Sequence, residues 1–276
     1  MAGIVDRIAN WMGGILSRYL TQTSDARSTA APVDPVRLMA CLKPGDVLLV
    51  EGKTRVSVAI KYLTQSTWSH AALYAGNATG QSDAKGLPLC FLEADIREGV
   101  RAVSIDQYIG LNCRVCRPIG LSQAEVDTVI AYVMRRMGHR YDLKNVFDLA
   151  RYLFPTPPVP VRWRRRMLAL GSGDPTRAIC STLIAQAFQS VRYPILPHIE
   201  SVPSGDASCD GCVDEILRLR HHSLFVPRDF DVSPYFDIVK PTLAVGFDHH
   251  ALVWSDLPGP FELPAIRSAT GRSETV

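Results

Sequence analysis

The chain has 276 residues, 47% of them hydrophobic and 21% charged, with a formal net charge of +3. That is ordinary globular composition; it excludes a disordered, collagen-like or coiled-coil protein, and the length suffices for one large domain or two small ones. The sequence pI of about 8.5 is too mild to argue for nucleic acid.

Taken in chain order, residues 1–22 place Ile4, Ile8, Trp11, Ile15 and Tyr19 on one helical stripe, weakened by Gly13 and Gly14. Residues 23–35 are small, polar and Pro-containing and read as a linker. LKPGDVLLVEG then gives a turn and a short strand at 46–50, Ser57–Gln65 a short helix, and SHAALYAG a strand over 69–76. CFLEAD (90–95) and GVRAVS (99–104) are two strands joined closely enough to form a hairpin, and NCRVCRP (112–118) is a further strand. Ser122 with Glu125 three residues later is a capping box opening a helix that Gly138 ends. A second helix over about 144–153 stops before PTPPVP, and RWRRRM and GSGDP precede a helix at about 179–191. The remainder reads as loop-rich, with one short strand near 236–239. Strands cluster in the first half and helices in the second, which is an α+β pattern. The expected organisation is an N-terminal amphipathic helix and linker (1–35), one domain with a small, mostly antiparallel sheet flanked by helices (36–242), and a C-terminal tail (243–276).

Three residues could carry chemistry. Cys180 follows the helix-start residues Asp174, Pro175 and Thr176, and a cysteine in a first helical turn sits where the dipole favours thiolate. A buried structural thiol is the plainer reading of that site taken alone. His70 lies in a strand of small residues, where alternation puts Trp68, His70, Ala72 and Tyr74 on one face. Small neighbours leave room beside an imidazole acting as a general base; a half-buried histidine bonded to backbone is the alternative. Glu93 shares a strand face with Phe91 and Asp95, and a carboxylate beside an imidazole fixes its tautomer and stabilises imidazolium.

LKPGDVLLVEG, WSHAALYAG, FLEADIREGV, GHRYD and AICSTLIAQAF, in that order, resemble the YiiX/YebB-like branch of the NlpC-type cysteine hydrolases. The resemblance spans about residues 42–240 and implies a circularly permuted papain-like fold, with the histidine strand ahead of the cysteine helix. It further implies Cys180 as nucleophile, His70 as base, Glu93 as the residue orienting the imidazole, and Tyr141 lining the substrate cleft. The implied function is a cysteine hydrolase or acyltransferase that cleaves an amide or ester through an acyl-thioester, with no cofactor and no metal. Two substrate classes stay open: a cell-wall-type peptide amide, and a lipid acyl group as in permuted relatives similar to lecithin retinol acyltransferase. A lipid- or peptide-binding protein on a degenerate hydrolase fold is the non-enzymatic alternative.

Cys113/Cys116 and Cys209/Cys212 are two CxxC pairs that could in principle hold zinc. A strand setting would split Cys113 and Cys116 across two faces, so free thiols and no stoichiometric zinc are expected. His249-His250 stands without an identifiable partner. RWRRRM joins arginines to Trp163 and, with residues 1–22, suits peripheral contact with an anionic membrane. No apolar run is long enough to span a bilayer as a helix. With no clear secretory signal, a cytoplasmic, reducing location is the expectation.

Overall fold

A computed structural model of the chain describes residues 22, 34–95, 98–139, 179–204, 209 and 212–251. The chain divides into two compact units, 1–245 and 246–276. The amphipathic stripe of residues 1–20, the helix expected near 144–153, Tyr141 and the RWRRRM segment lie outside the described residues.

In the first unit, six strands form one antiparallel sheet. They are β1 (Val47–Glu51), β2 (His70–Tyr74), β3 (Phe91–Asp95), β4 (Gly99–Val103), β5 (Asn112–Pro118) and, after a separate hairpin of β6 (His198–Pro203) and β7 (Val213–Arg218), β8 (Phe236–Val239). The sheet order is β4-β3-β2-β1-β5-β8. β1 lies at its centre, paired to β2 on one side and β5 on the other, and all five of its residues are buried. That double burial explains why VLLV (47–50) reads as a continuous apolar run with no alternation.

Two apolar layers cover the faces of the sheet. On one, Val47, Leu49, Ala71, Leu73 and Leu92 pack against helices α3 (Gln123–Met134) and α4 (Ile179–Ser190), through Val129, Val133, Leu183, Ile184 and Phe188. On the other, Leu48, Val50, Ala72, Phe91 and Val103 pack against Tyr108 and against Leu38 of helix α1 (Pro35–Cys41). The odd and even residues of β1 thus go to different layers, as strand pleating dictates.

Local chemistry sets the element ends. Asp34 caps α1, its carboxylate accepting from the Val36 amide at 2.9 Å, with Pro35 in the first turn. Those two residues therefore open a helix, where the sequence reading had them closing a linker. Thr54 caps α2 (Arg55–Thr64), two residues ahead of the expected start, and Gln65 ends it in a left-handed conformation. The Ser122–Glu125 capping box is present at the head of α3. Asp46, from the GD pair, is buried and accepts from the Arg117 side chain at 2.9 and 2.7 Å and from the Lys43 amide at 2.8 Å. It ties the turn before β1 to the end of β5.

Two expectations are corrected. Residues 198–218, read as loop, contain the β6–β7 hairpin, in addition to the strand expected near 236–239 in the second half of the chain. Trp68 packs in the helix-side layer while Ala72 and Tyr74 belong to the other. The regular strand begins only at His70, so alternation does not extend back to residue 68.

Candidate functional site

His70 is the first residue of β2, and Glu93 lies in the middle of β3. The register between these strands runs through Leu73↔Leu92 and Tyr74↔Phe91, so His70 lies beyond the paired segment. There the imidazole Nε2 meets a Glu93 carboxylate oxygen, Oε2, at 2.6 Å. Cys180, buried in α4, faces the same imidazole closely enough to raise its pKa. With Nε2 held by Glu93, Nδ1 is the ring nitrogen left for the sulfur. Glu93 and Tyr108 belong to the face opposite the helices and Cys180 to the helix layer. The structure brings Cys180, His70 and Glu93 together, with His70 facing both of the others.

Glu93 has further partners that the sequence reading did not name. Arg101, its cross-strand neighbour on β4, donates from Nε at 2.9 Å and Nη2 at 2.7 Å to Oε1. The Tyr108 hydroxyl, from the 3₁₀ turn Ile105–Tyr108, donates at 2.7 Å to Oε2. Both carboxylate oxygens are therefore occupied, in a side chain only 3% exposed. Arg101 also donates from Nη1 to Glu98 at 2.9 Å.

The electrostatics follow from this arrangement. Burial opposes charge on His70, but the Cys180 thiolate and the Glu93 carboxylate outweigh it and hold the imidazole pKa well above its ordinary value. Burial likewise opposes charge on Glu93, yet the His70 cation, the Arg101 guanidinium and the Tyr108 hydroxyl pull its pKa down to about 2. Tyr108 is pushed well up, by burial first and then by the neighbouring Glu93 charge, so it remains a hydroxyl donor. An imidazole held in its charged form beside a thiol is the setting a cysteine nucleophile requires.

The other cysteines differ. Cys113 and Cys116 are buried free thiols in the two opposite core layers. Burial pushes the Cys113 pKa up to about 12. Cys209 and Cys212 are disulfide-bonded, which overturns the expectation of free thiols there. In the second unit, Asp248, His249 and His250 have metal-ligand atoms within 4.8 Å of one another, all exposed. Asp248 is the neighbour that the histidine pair lacked in the sequence reading.

Comparison with known proteins bears on the first unit. A family model described as permuted papain-like amidase enzyme, YaeF/YiiX, C92 family, matches residues 41–153. That segment contains His70 and Glu93 and ends before Cys180. Among solved structures, the crystal structure of metalloprotein yiiX from Escherichia coli O157:H7 aligns with TM-score 0.40 and 16% identity, over 72% of this chain and 96% of that chain. No curated protein matches. Among the described residues, no helix is long and apolar enough to cross a membrane.

Proposed function

Since residues 41–153 belong to the permuted papain-like amidase family, we propose that the protein is a cysteine amidase using Cys180 as nucleophile, His70 as acid and base, and Glu93 as the group that orients and charges the imidazole. One observation carries this reading: a single imidazole hydrogen-bonded to a buried carboxylate and facing a helix-borne thiol. A histidine kept for packing alone has no need of either ionisable partner.

The chemistry follows from the geometry. The Cys180 thiolate adds to the carbonyl carbon of an amide, and the imidazolium of His70 protonates the leaving nitrogen as the C–N bond breaks. An acyl-thioester and neutral imidazole result. His70 then takes a proton from water as the water oxygen attacks the thioester, releasing the acid and restoring the thiolate–imidazolium pair. Glu93 balances the imidazolium and fixes its ring; it forms no bond to substrate.

Amide cleavage is favoured over lipid ester cleavage because the matching family is one of amidases. A panel of peptidyl and fatty-acyl anilides, with the matching aryl esters, tests both points. The wild type should hydrolyse a peptidyl anilide and Cys180→Ala should not. Equal turnover by the two proteins would refute the nucleophile, and turnover of fatty-acyl substrates alone would move the reading to a lipid acyl hydrolase.

A further inference from the structure

We infer that Arg101 and Tyr108 are positioning residues of this site, holding Glu93 ionised and aimed at His70 down to acid pH; the inference rests on the proposed thiolate–imidazolium site and deepens it. A carboxylate buried as deeply as Glu93 would ordinarily take up a proton to escape desolvation. His70 alone would not secure the charge, because the imidazolium is itself consumed during turnover. When His70 hands its proton to the leaving group, Glu93 loses its cationic partner and would face the low-dielectric interior alone. Arg101 is the cation that persists through that step. Two of its nitrogens converge on Oε1, which leaves Oε2 for His70.

Tyr108 supplies the second restraint. Its hydroxyl shares Oε2 with His70, so the oxygen is approached from two directions and the carboxylate cannot rotate away from the imidazole. The ring is locked in turn, 5.1 Å from that of Phe91, edge to face, in the layer away from the helices. Glu98 and Asp95 both face Arg101, at 2.9 and 4.0 Å. They hold the guanidinium at the rim and keep part of it charge-balanced.

The consequence is a specific pH signature. Without Arg101, the charged form of Glu93 loses support and its pKa rises. At mildly acid pH it becomes neutral, His70 loses its counter-charge, and the Cys180 thiolate loses the imidazolium. The thiolate population should therefore collapse at a higher pH than in the wild type. Its readout is the rate at which iodoacetamide alkylates Cys180 as pH is lowered, followed by peptide mapping, with Cys180→Ala as the background.

Arg101→Gln should move the acid limb up by about one pH unit or more, an opposite charge at this range being worth about 1–3 units. Arg101→Lys should return the limb most of the way to its wild-type position, and Tyr108→Phe should shift it in the same direction as Arg101→Gln but by less. A structural role alone would lower the unfolding temperature and leave the limb in place. An Arg101→Gln limb identical to wild type overturns the inference while leaving the site intact. Should Arg101→Gln fail to fold, an unshifted Tyr108→Phe limb overturns it equally. A different result, wild-type Cys180 labelling no faster than an ordinary exposed thiol at neutral pH, removes the site reading itself.

Discussion

Replacing His70 with Ala should lower amide turnover by about 10²–10⁴-fold, the range that a positioned acid–base group contributes. The loss has two physical sources. The leaving nitrogen departs without a proton donor, and the Cys180 thiolate loses the cation that stabilises it. The second source is independent of substrate, so alkylation of Cys180 at neutral pH should fall in the same variant. The fold should persist, because His70 is at a strand end with its side chain 26% exposed. A His70→Ala protein that keeps wild-type turnover would remove the imidazole from the mechanism. Slowed turnover with undiminished alkylation would leave His70 a proton donor but no partner of the thiolate.

The second large effect concerns Glu93, where charge and packing separate. Glu93→Gln keeps an acceptor for the imidazole but removes the charge, so partial activity should remain. The His70 pKa should fall in that variant, because the Glu93 charge is one of the interactions that raise it. The alkaline limb of the pH–rate profile should therefore move to lower pH. Glu93→Ala should be worse, destabilising the protein by about 3 kcal/mol in urea unfolding, the lower end for breaking a buried pair. The lower end applies because Arg101 is partly exposed and keeps Glu98.

The pH dependence of stability has a definite sign. Glu93 ionises at about 2 in the fold against an ordinary value of 4.5. Its contribution is complete above the ordinary value and is lost as pH falls through about 2, so wild type and Glu93→Gln should converge in stability in acid. His70 acts in the opposite direction. Its raised pKa contributes stability below the ordinary histidine value that is lost as pH rises through the folded value. A constant stability gap between wild type and Glu93→Gln from neutral to acid pH would contradict this picture of Glu93.

How much of this was legible beforehand depended on whether the signal was local. The strands carrying His70 and Glu93 are short apolar segments bounded by turn residues, and they are visible in the sequence. Arg101 was also readable in principle. A hairpin that pairs Asp95 with Gly99 sets Arg101 opposite Glu93, and oppositely charged residues in that relation form a pair. Tyr108 was not readable, because it reaches Glu93 from a 3₁₀ turn that no strand or helix periodicity describes. The β6–β7 hairpin escaped for a different reason: all six β7 residues are exposed, so no buried face imposes an alternation. At Asp34-Pro35 the proline reads as a breaker in a polar stretch, whereas a proline following a capping aspartate begins a helix. Trp68 lies two residues ahead of β2, where the two-residue period of the strand no longer applies. For Tyr108, the β6–β7 hairpin and Trp68 the missing information was tertiary: which face is buried, and where the regular backbone stops.

The acyl-thioester is the central claim, and capturing it is the most direct measurement. Wild-type protein incubated with an activated peptidyl ester at neutral pH, quenched in acid and mapped by mass spectrometry should carry the acyl mass on the peptide containing Cys180. The adduct should be absent from Cys180→Ala and should disappear on treatment with hydroxylamine, as thioesters do. Turnover of the ester with no adduct on Cys180, or an adduct on another residue that survives in Cys180→Ala, would contradict the account.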